Sequence, residues 1–361
     1  MKSLWWQAVA QRLARSFLRF RMARGRRGSS VRTIAFADYR AALLREFGQS
    51  ERSFVLRSRS VLAERGEGLR TYEIVLEGEE RLPWQPGDLL YLRWRNSAAR
   101  VSAVKARLPA RTRPMRVLTY GHALRPPRLE RVTPEAFLGT IVDLHAAHPE
   151  HPTWGALKRR QPRIRPRIFT VSKIRESEGR PILELIVSTV AGGRASGYLQ
   201  RLPVGERLFG YRLPHPHRLP GAYGFRGPGV CIVTGSAVAG VLVHLRSQAS
   251  LAPIWLIWGV KDEDRAFYRE ELCRYLDSGR LARLDIVASR SVGDAPGEYV
   301  QDFVRRQGRA IESSLEPDGW LYVSGQKSMA QAVSLALREL YGEATVDQWR
   351  DRMRLVISAS G

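Results

Sequence analysis

The sequence is short of cysteine, short of acid, and without any long apolar run. Two cysteines, Cys231 and Cys273, are too few and too far apart for a disulfide framework, so a reducing compartment is the simpler expectation. No Cys/His cluster has the spacing of a zinc site. His145, His148 and His151 recur every third residue, but Pro149 and Pro152 break the helix that would align them, and no metal is expected. Nothing approaches the roughly twenty apolar residues that span a bilayer. Asp plus Glu total 35 against 59 Lys plus Arg, a net charge of +24. That imbalance implies acidic partners, whether phosphate-bearing ligands, an acidic redox protein, anionic lipid or nucleic acid, and does not choose among them. No recognition motif accompanies the charge, so nucleic acid is not expected.

What is present begins with a basic arm. Met1 to Thr33 carries nine Lys or Arg and no acid. Trp6, Ala10, Leu13, Phe17 and Phe20 follow the spacing of one helix face, while Arg12, Arg15 and Arg19 fall on another. Residues 1–35 are therefore expected to be a basic amphipathic helix and linker. Its residues 1–23 suit an anionic membrane surface, which would make the protein cytoplasmic and peripheral on the inner membrane face. Docking on the protein's own body and a transit peptide are the other readings, and both stay open.

At 361 residues the chain has room for two domains with separate cores. From Ser53 to Phe209 short alternating runs such as SFVLRSRSVL, TYEIVLEG and LLYLRW are separated by turn chemistry, notably Gln85-Pro86-Gly87-Asp88. The pattern predicts an antiparallel β-barrel over residues 36–224. A helical insert is expected at about 130–160, capped by Thr133 with Pro134 at the first helical position. From 225 to 361 the texture changes to strands alternating with helices: VCIVTG, IWLIWG, RLDIVAS and WLYVSG, with helices predicted over 264–279, from about Glu298, and over 327–341. This spacing predicts an α/β doubly wound parallel sheet. Ligands meet such a sheet at its carboxyl edge, where the strands end in Thr234-Gly235-Ser236, Trp258-Gly259, Ser289-Arg290-Ser291 and Ser324-Gly325. Small residues at a helix start expose backbone NH groups to phosphate, and an Arg between hydroxyls suits a phosphate fork.

Taken together, these runs resemble the ferredoxin-NADP reductase superfamily over about residues 53 to 340, and more narrowly the FAD and NADP(H) module of diflavin reductases of the sulfite reductase flavoprotein type. Arg167-Ile168-Phe169-Thr170, followed by Ser172, looks like the family's Arg-x-Tyr-Ser signature. The resemblance implies FAD, with Arg167 on its pyrophosphate, Phe169 stacked on the ring, and Thr170 and Ser172 near it. Gly193-Arg194-Ala195-Ser196-Gly197-Tyr198-Leu199 looks like Gly-x-x-Ser-x-x-Leu, which implies that Gly193 and Ser196 serve the same pyrophosphate. In the second half, Thr234, Gly235 and Ser236 resemble the loop that receives the nicotinamide dinucleotide. Ser289, Arg290, Tyr299 and Gln301 resemble the 2′-phosphate pocket, and Ser324-Gly325 resembles the strand end beside the nicotinamide. Gly259-Val260-Lys261, with Asp264, Tyr268, Glu271 and Leu272, resembles a further family segment.

The implied function is an FAD-dependent NADPH reductase in which Thr170 and Ser324 act at the hydride. Fewer than 53 residues precede the barrel, too few for a flavodoxin-like domain, so electrons would pass singly to a separate acidic acceptor such as flavodoxin, ferredoxin or a membrane redox subunit. Departures cluster in the nucleotide half: Ala237 and Gly240 in the loop, Gly297 in place of a basic residue, Ser324 where a thiol often sits, Gln326 for an acid, and no aromatic in Leu355 to Gly361. They motivate the alternative of a flavoprotein with a degenerate nucleotide site that acts as a membrane-docked binding or assembly subunit.

Overall fold

The structure, a computed structural model, describes residues 52 to 360 except 65, 67, 79–83, 120–127, 146–151, 160–162, 214–226, 247–251, 291–295, 316–317 and 353. The basic arm, Ser291, and the expected boundary at 224/225 lie outside the described residues.

The first half is built of β1 (Arg52–Glu64), β2 (Arg70–Gly78), β3 (Leu89–Arg93), β4 (Met115–Thr119), β5 (Arg128–Val132), β6 (Arg167–Ser177), β7 (Arg180–Ser188) and β8 (Arg207–Leu213). Its helices are α1 (Ala98–Lys105), α2 (Pro134–Ala136), α3 (Trp154–Arg159) and α4 (Arg194–Arg201). Six strands close into an antiparallel barrel in the order β1-β2-β7-β6-β3-β8. Period-2 alternation turns Phe54, Leu56, Ile74, Leu76, Leu90, Leu92, Leu183 and Leu185 inward, and none is more than 1% exposed. β4 and β5 form a separate hairpin in the insert.

The insert is less helical than its sequence suggests. After the single turn α2, capped by Thr133 as expected, residues Phe137–Ile141 widen into a π turn that ends with Val142 NH donating to the Phe137 carbonyl. Asn96 explains the stop. Its buried Nδ2 donates to the carbonyls of Leu138 and Val142, and its backbone NH to Gly139, taking acceptors that a continuing helix would need.

The second half follows the predicted alternation: β9 (Gly229–Thr234), α5 (Val238–Arg246), β10 (Ile254–Val260), α6 (Arg269–Asp277), β11 (Leu281–Ala288), α7 (Val300–Arg306), α8 (Gly308–Ser314), β12 (Trp320–Gln326), α9 (Lys327–Tyr341), α10 (Glu343–Asp351) and β13 (Leu355–Ser360). All five strands pair in parallel in the order β11-β10-β9-β12-β13. Every residue of β10 is buried, as a central parallel strand covered on both faces requires. Strand order reverses between β9 and β12, which places a crevice at their carboxyl ends. Two local details differ from the sequence pattern. The helix predicted from 264 starts at Arg269, because a 3₁₀ turn at Glu263–Arg265 and a left-handed Tyr268 at φ 58° interrupt it. The sequence pattern showed four strands, and Leu355–Ser360 adds a fifth at the sheet edge, with Leu355 and Val356 buried.

The halves share an apolar seam. Ala63 and Ile186 of the barrel belong to the same buried cluster as Val238, Leu242, Phe267 and Tyr322.

Candidate functional site

On the barrel, the expected flavin residues fall on β6 and on the start of α4, and a turn before β3 braces the first of these pieces. β6 lies beside β3 with Arg167 opposite Leu92, Ile168 opposite Tyr91, Phe169 opposite Leu90 and Thr170 opposite Leu89. Arg167 is exposed at the strand head, and Thr170 is half-buried. The Pro86-Gly87-Asp88 turn is stitched to the next residue: Gly87 NH donates to the Val171 carbonyl at 2.9 Å, and Val171 NH to Asp88 at 2.8 Å. Asp88 itself is 1% exposed and accepts from Arg212 Nε at 2.7 Å, with Trp84 beneath the same guanidinium at 5.8 Å. This turn therefore fixes the backbone next to Thr170.

Two of the expected flavin residues are engaged by the barrel itself. Ser172 is 1% exposed at a β-bulge, and its Oγ is already engaged within the barrel, donating to the Glu184 carbonyl at 3.0 Å. Its hydroxyl ties β6 to β7. Phe169 shares the inward face with Leu90 and packs against the barrel core, so only part of its ring is open to a ligand, and the exposed apolar neighbour is Ile168 at 49%.

The second piece is the start of α4. Gly193 precedes the helix with no side-chain cap, so the first backbone NH groups stay open. A Cβ at Gly193 would fall 2.5 Å from Val190 Cγ2 and 2.7 Å from Ser196 Oγ, so only glycine allows this approach. Ser196 is 9% exposed, and its Oγ has no hydrogen-bond partner. An orphaned buried hydroxyl at an open helix start is what a phosphate oxygen would satisfy. Arg194, next to it, is held by an ion pair to Asp143 of the insert.

In the second half, the crevice between β9 and β12 gathers Thr234, Gly235, Ser236, Ser324 and Gly325. Gly325 lies so close to Thr234 that a Cβ would fall 2.2 Å from Thr234 Oγ1. Gly235 has φ 54°, and its carbonyl accepts from Trp258 Nε1 at 3.1 Å; Ser236 is half-buried beside it. Ser324 is 8% exposed, in register with Ser358 of β13. Burial raises the Tyr322 phenol, while the Ser324 and Ser358 hydroxyls beside it act in the opposite direction.

A second group assembles at the end of β11. Ser289 NH donates to Val260 and Arg290 NH to Lys261, each at 2.9 Å, and Glu298 NH returns to Ala288 at 2.8 Å. These bonds bring Tyr299, which is 61% exposed, and half-buried Gln301 to the turn that carries exposed Arg290. Gly297 is a steric necessity there, since a Cβ would fall 2.5 Å from the Ser289 carbonyl. The Ala237 methyl packs against the apolar seam cluster. The close backbone at Gly297 leaves no room for the basic side chain that the family pattern has there.

Sequence reasoning missed the groups that hold these pieces: Asn96, Arg212, Glu73 and Arg246. Asp88 was visible within its turn motif, but no local pattern marks an arginine 124 residues away as its partner. Among the described residues no cluster of His, Cys, Asp or Glu could hold a metal ion, and no helix is long and apolar enough to cross a membrane.

Residues 232–335 match the oxidoreductase NAD-binding domain family. The chain is 30% identical over 174 residues to ferredoxin--NADP reductase B of Sorangium cellulosum, covering 45% of this chain and 69% of that protein. It is 32% identical over 171 residues to the sulfite reductase [NADPH] flavoprotein alpha-component of Thiocapsa roseopersicina, covering 44% of this chain and 32% of that protein. It is 27% identical over 206 residues to NADPH-dependent diflavin oxidoreductase 1 of Gibberella zeae, covering 52% of this chain and 34% of that protein. The match thus spans about a third of the length of the two flavoprotein relatives.

Proposed function

The chain belongs to the ferredoxin-NADP reductase superfamily, and we propose that it is an FAD-dependent NADPH oxidoreductase that passes single electrons to a separate acidic acceptor. One observation carries this reading. Helix α5 begins at the Thr234–Ala237 loop and ends at Arg246, whose Nη1 reaches the Ser172 carbonyl of β6 at 3.5 Å. Val243, on the same helix, faces the Gly87 turn. A single helix thus runs from the candidate nucleotide loop to the strand that carries Thr170.

The residues fit both cofactors. Gly193, the open NH groups of α4 and the unpartnered Ser196 hydroxyl would hold the FAD pyrophosphate, with Arg167 at the head of β6 adding charge. Thr170 would orient the flavin edge, with part of the Phe169 ring beside it. Thr234, Gly235, Ser236 and Gly325 would receive NADPH; Ser289, Arg290, Tyr299 and Gln301 would select its 2′-phosphate; Ser324 would line the nicotinamide end. When bound, FAD supplies the hydride acceptor and the one-electron donor, and the protein supplies position.

Residues 36–224 and 225–361 would form the FAD and NADP(H) domains. A net charge of +24 supports an acidic redox partner such as flavodoxin or ferredoxin. We further propose a cytoplasmic site of action, with residues 1–23 as the contact to anionic membrane. The test is NADPH-driven reduction of an acidic flavodoxin by the full chain at increasing salt. The rate constant should fall steeply between low and physiological ionic strength as screening removes steering. A rate indifferent to salt would reject the acidic partner. Flavin that NADPH does not reduce would favour the assembly-subunit alternative.

A further inference from the structure

Tyr268 has a backbone conformation that non-glycine residues adopt rarely. Its φ of 58° lies in the left-handed region, at the last residue before α6. Such strain persists only where surrounding contacts over-determine it. The contacts here cross the seam between the two halves. Tyr268 Oη donates to Glu73 of β2 in the barrel, 195 residues away. The Arg246 guanidinium lies over the Tyr268 ring at 5.0 Å and forms a two-pronged pair with Glu271, at 2.7 and 2.8 Å. Tyr275 donates to the same carboxylate at 3.0 Å. Arg246 also reaches the Ser172 carbonyl of β6.

The electrostatics make this cluster self-consistent. Burial raises the Tyr268 phenol, and the Glu73 hydrogen bond and charge raise it further, so Tyr268 stays a donor at neutral pH. Burial opposes the charge of Glu271, but Arg246 outweighs it and holds the carboxyl below its usual range.

Both ends of the cluster run into the candidate sites. On the barrel side, Arg246 grips Ser172, two residues beyond Thr170. On the other side, the Phe267 ring meets Tyr268 at 5.4 Å and Trp258 at 4.9 Å, and Trp258 donates to the Gly235 carbonyl. The segment from Lys261 to Tyr268 starts where Lys261 accepts from Arg290 NH. We propose that Glu73, Tyr268, Arg246 and Glu271 are an interdomain clamp that fixes the nucleotide half on the barrel, with Tyr268 as a positioning residue for hydride transfer. The catalytic consequence rests on the reductase reading; the clamp itself does not.

The test compares full-length Tyr268→Phe, Glu73→Gln and Glu73→Lys with the parent. Tyr268→Phe keeps the ring and loses only the donor; Glu73→Gln keeps an acceptor; Glu73→Lys places a cation beside Arg246. The first readout is amide hydrogen exchange. Residues 167–177 and 238–246 should exchange about tenfold faster in Tyr268→Phe and faster still in Glu73→Lys, with Glu73→Gln within about threefold of the parent. The second is anaerobic flavin reduction at saturating NADPH. It should slow about tenfold in Tyr268→Phe while NADPH affinity and FAD content hold within about threefold, and Glu73→Gln should retain most of the rate. Unchanged exchange along the seam in both Tyr268→Phe and Glu73→Lys overturns the clamp. Faster exchange with an unchanged reduction rate overturns the positioning role. If the parent flavin itself is not reduced by NADPH, the reductase reading fails, and the exchange measurement still decides the clamp.

Discussion

Asp88 and Arg212 form a buried ion pair, Nε to Oδ2 at 2.7 Å, with side chains 1% and 9% exposed. The Gln85 NH donates to the same oxygen at 2.8 Å. The pair joins the turn before β3 to β8 and so sets the backbone that runs beside Thr170. Removing one partner strands the other charge in a dry site. Arg212→Leu should cost about 3 to 5 kcal/mol of stability in urea unfolding. The double replacement Asp88→Asn with Arg212→Leu should cost less than Arg212→Leu alone, because no unpaired charge remains.

Ser172 and Ser196 make opposite predictions although both are buried serines. Ser196→Ala removes a hydroxyl that only a ligand would satisfy. It should weaken FAD binding about tenfold, measured by flavin retention on dilution, with little change in the stability of the flavin-free protein. Ser172→Ala removes a strand-to-strand hydrogen bond and should lower stability by about 1 kcal/mol with FAD affinity unchanged. Gly193→Ala should be worse than either for FAD, because its methyl collides with Val190 and Ser196.

Arg290 is exposed on a turn that Lys261 and Gly297 hold in place. Arg290→Ala should raise the Kd for NADPH by about tenfold to a hundredfold and leave NADH within about twofold, since only the 2′-phosphate loses its cation. Equal losses for the two nucleotides would remove Arg290 from that pocket.

His244 gives a pH prediction. It lies in α5 at 9% exposure, its ring edge-on to Trp320 at 5.9 Å. Burial, with Arg280 nearby, pushes its pKa down from 6.5 to about 4. The fold therefore binds this proton more weakly than the unfolded chain does. The stability that depends on a neutral His244 is complete above about pH 6.5 and is lost as pH falls toward 4, by a total of about 3 kcal/mol. Urea midpoints measured from pH 7.5 to 4.5 should fall along that course, and His244→Leu should flatten it.

The sequence was most legible where a local pattern carries the physics. Period-2 alternation was enough to expect the barrel and strands alternating with helices the parallel sheet, and Thr234-Gly235-Ser236 marked the crevice between β9 and β12. It was least legible where tertiary contacts override local preference. Thr133 and Pro134 announced a helix that Asn96, some forty residues earlier, cuts to one turn. Strand sequence does not reveal the bulge at Ser172, which turns its hydroxyl onto the Glu184 carbonyl. A one-dimensional comparison likewise cannot show that the Ala237 methyl packs against the apolar seam or that position 297 has no room for a Cβ. Glu73 and Tyr268 had no signal linking them at all.

A reductase of this design must pass electrons from the nucleotide site to the barrel site. Anaerobic titration of the FAD-loaded full chain with NADPH, followed at the flavin absorbance bands, measures that step. Loss of the oxidised flavin bands with about one equivalent of NADPH is the predicted result. Flavin that stays oxidised under excess NADPH, in protein that retains FAD, would contradict it.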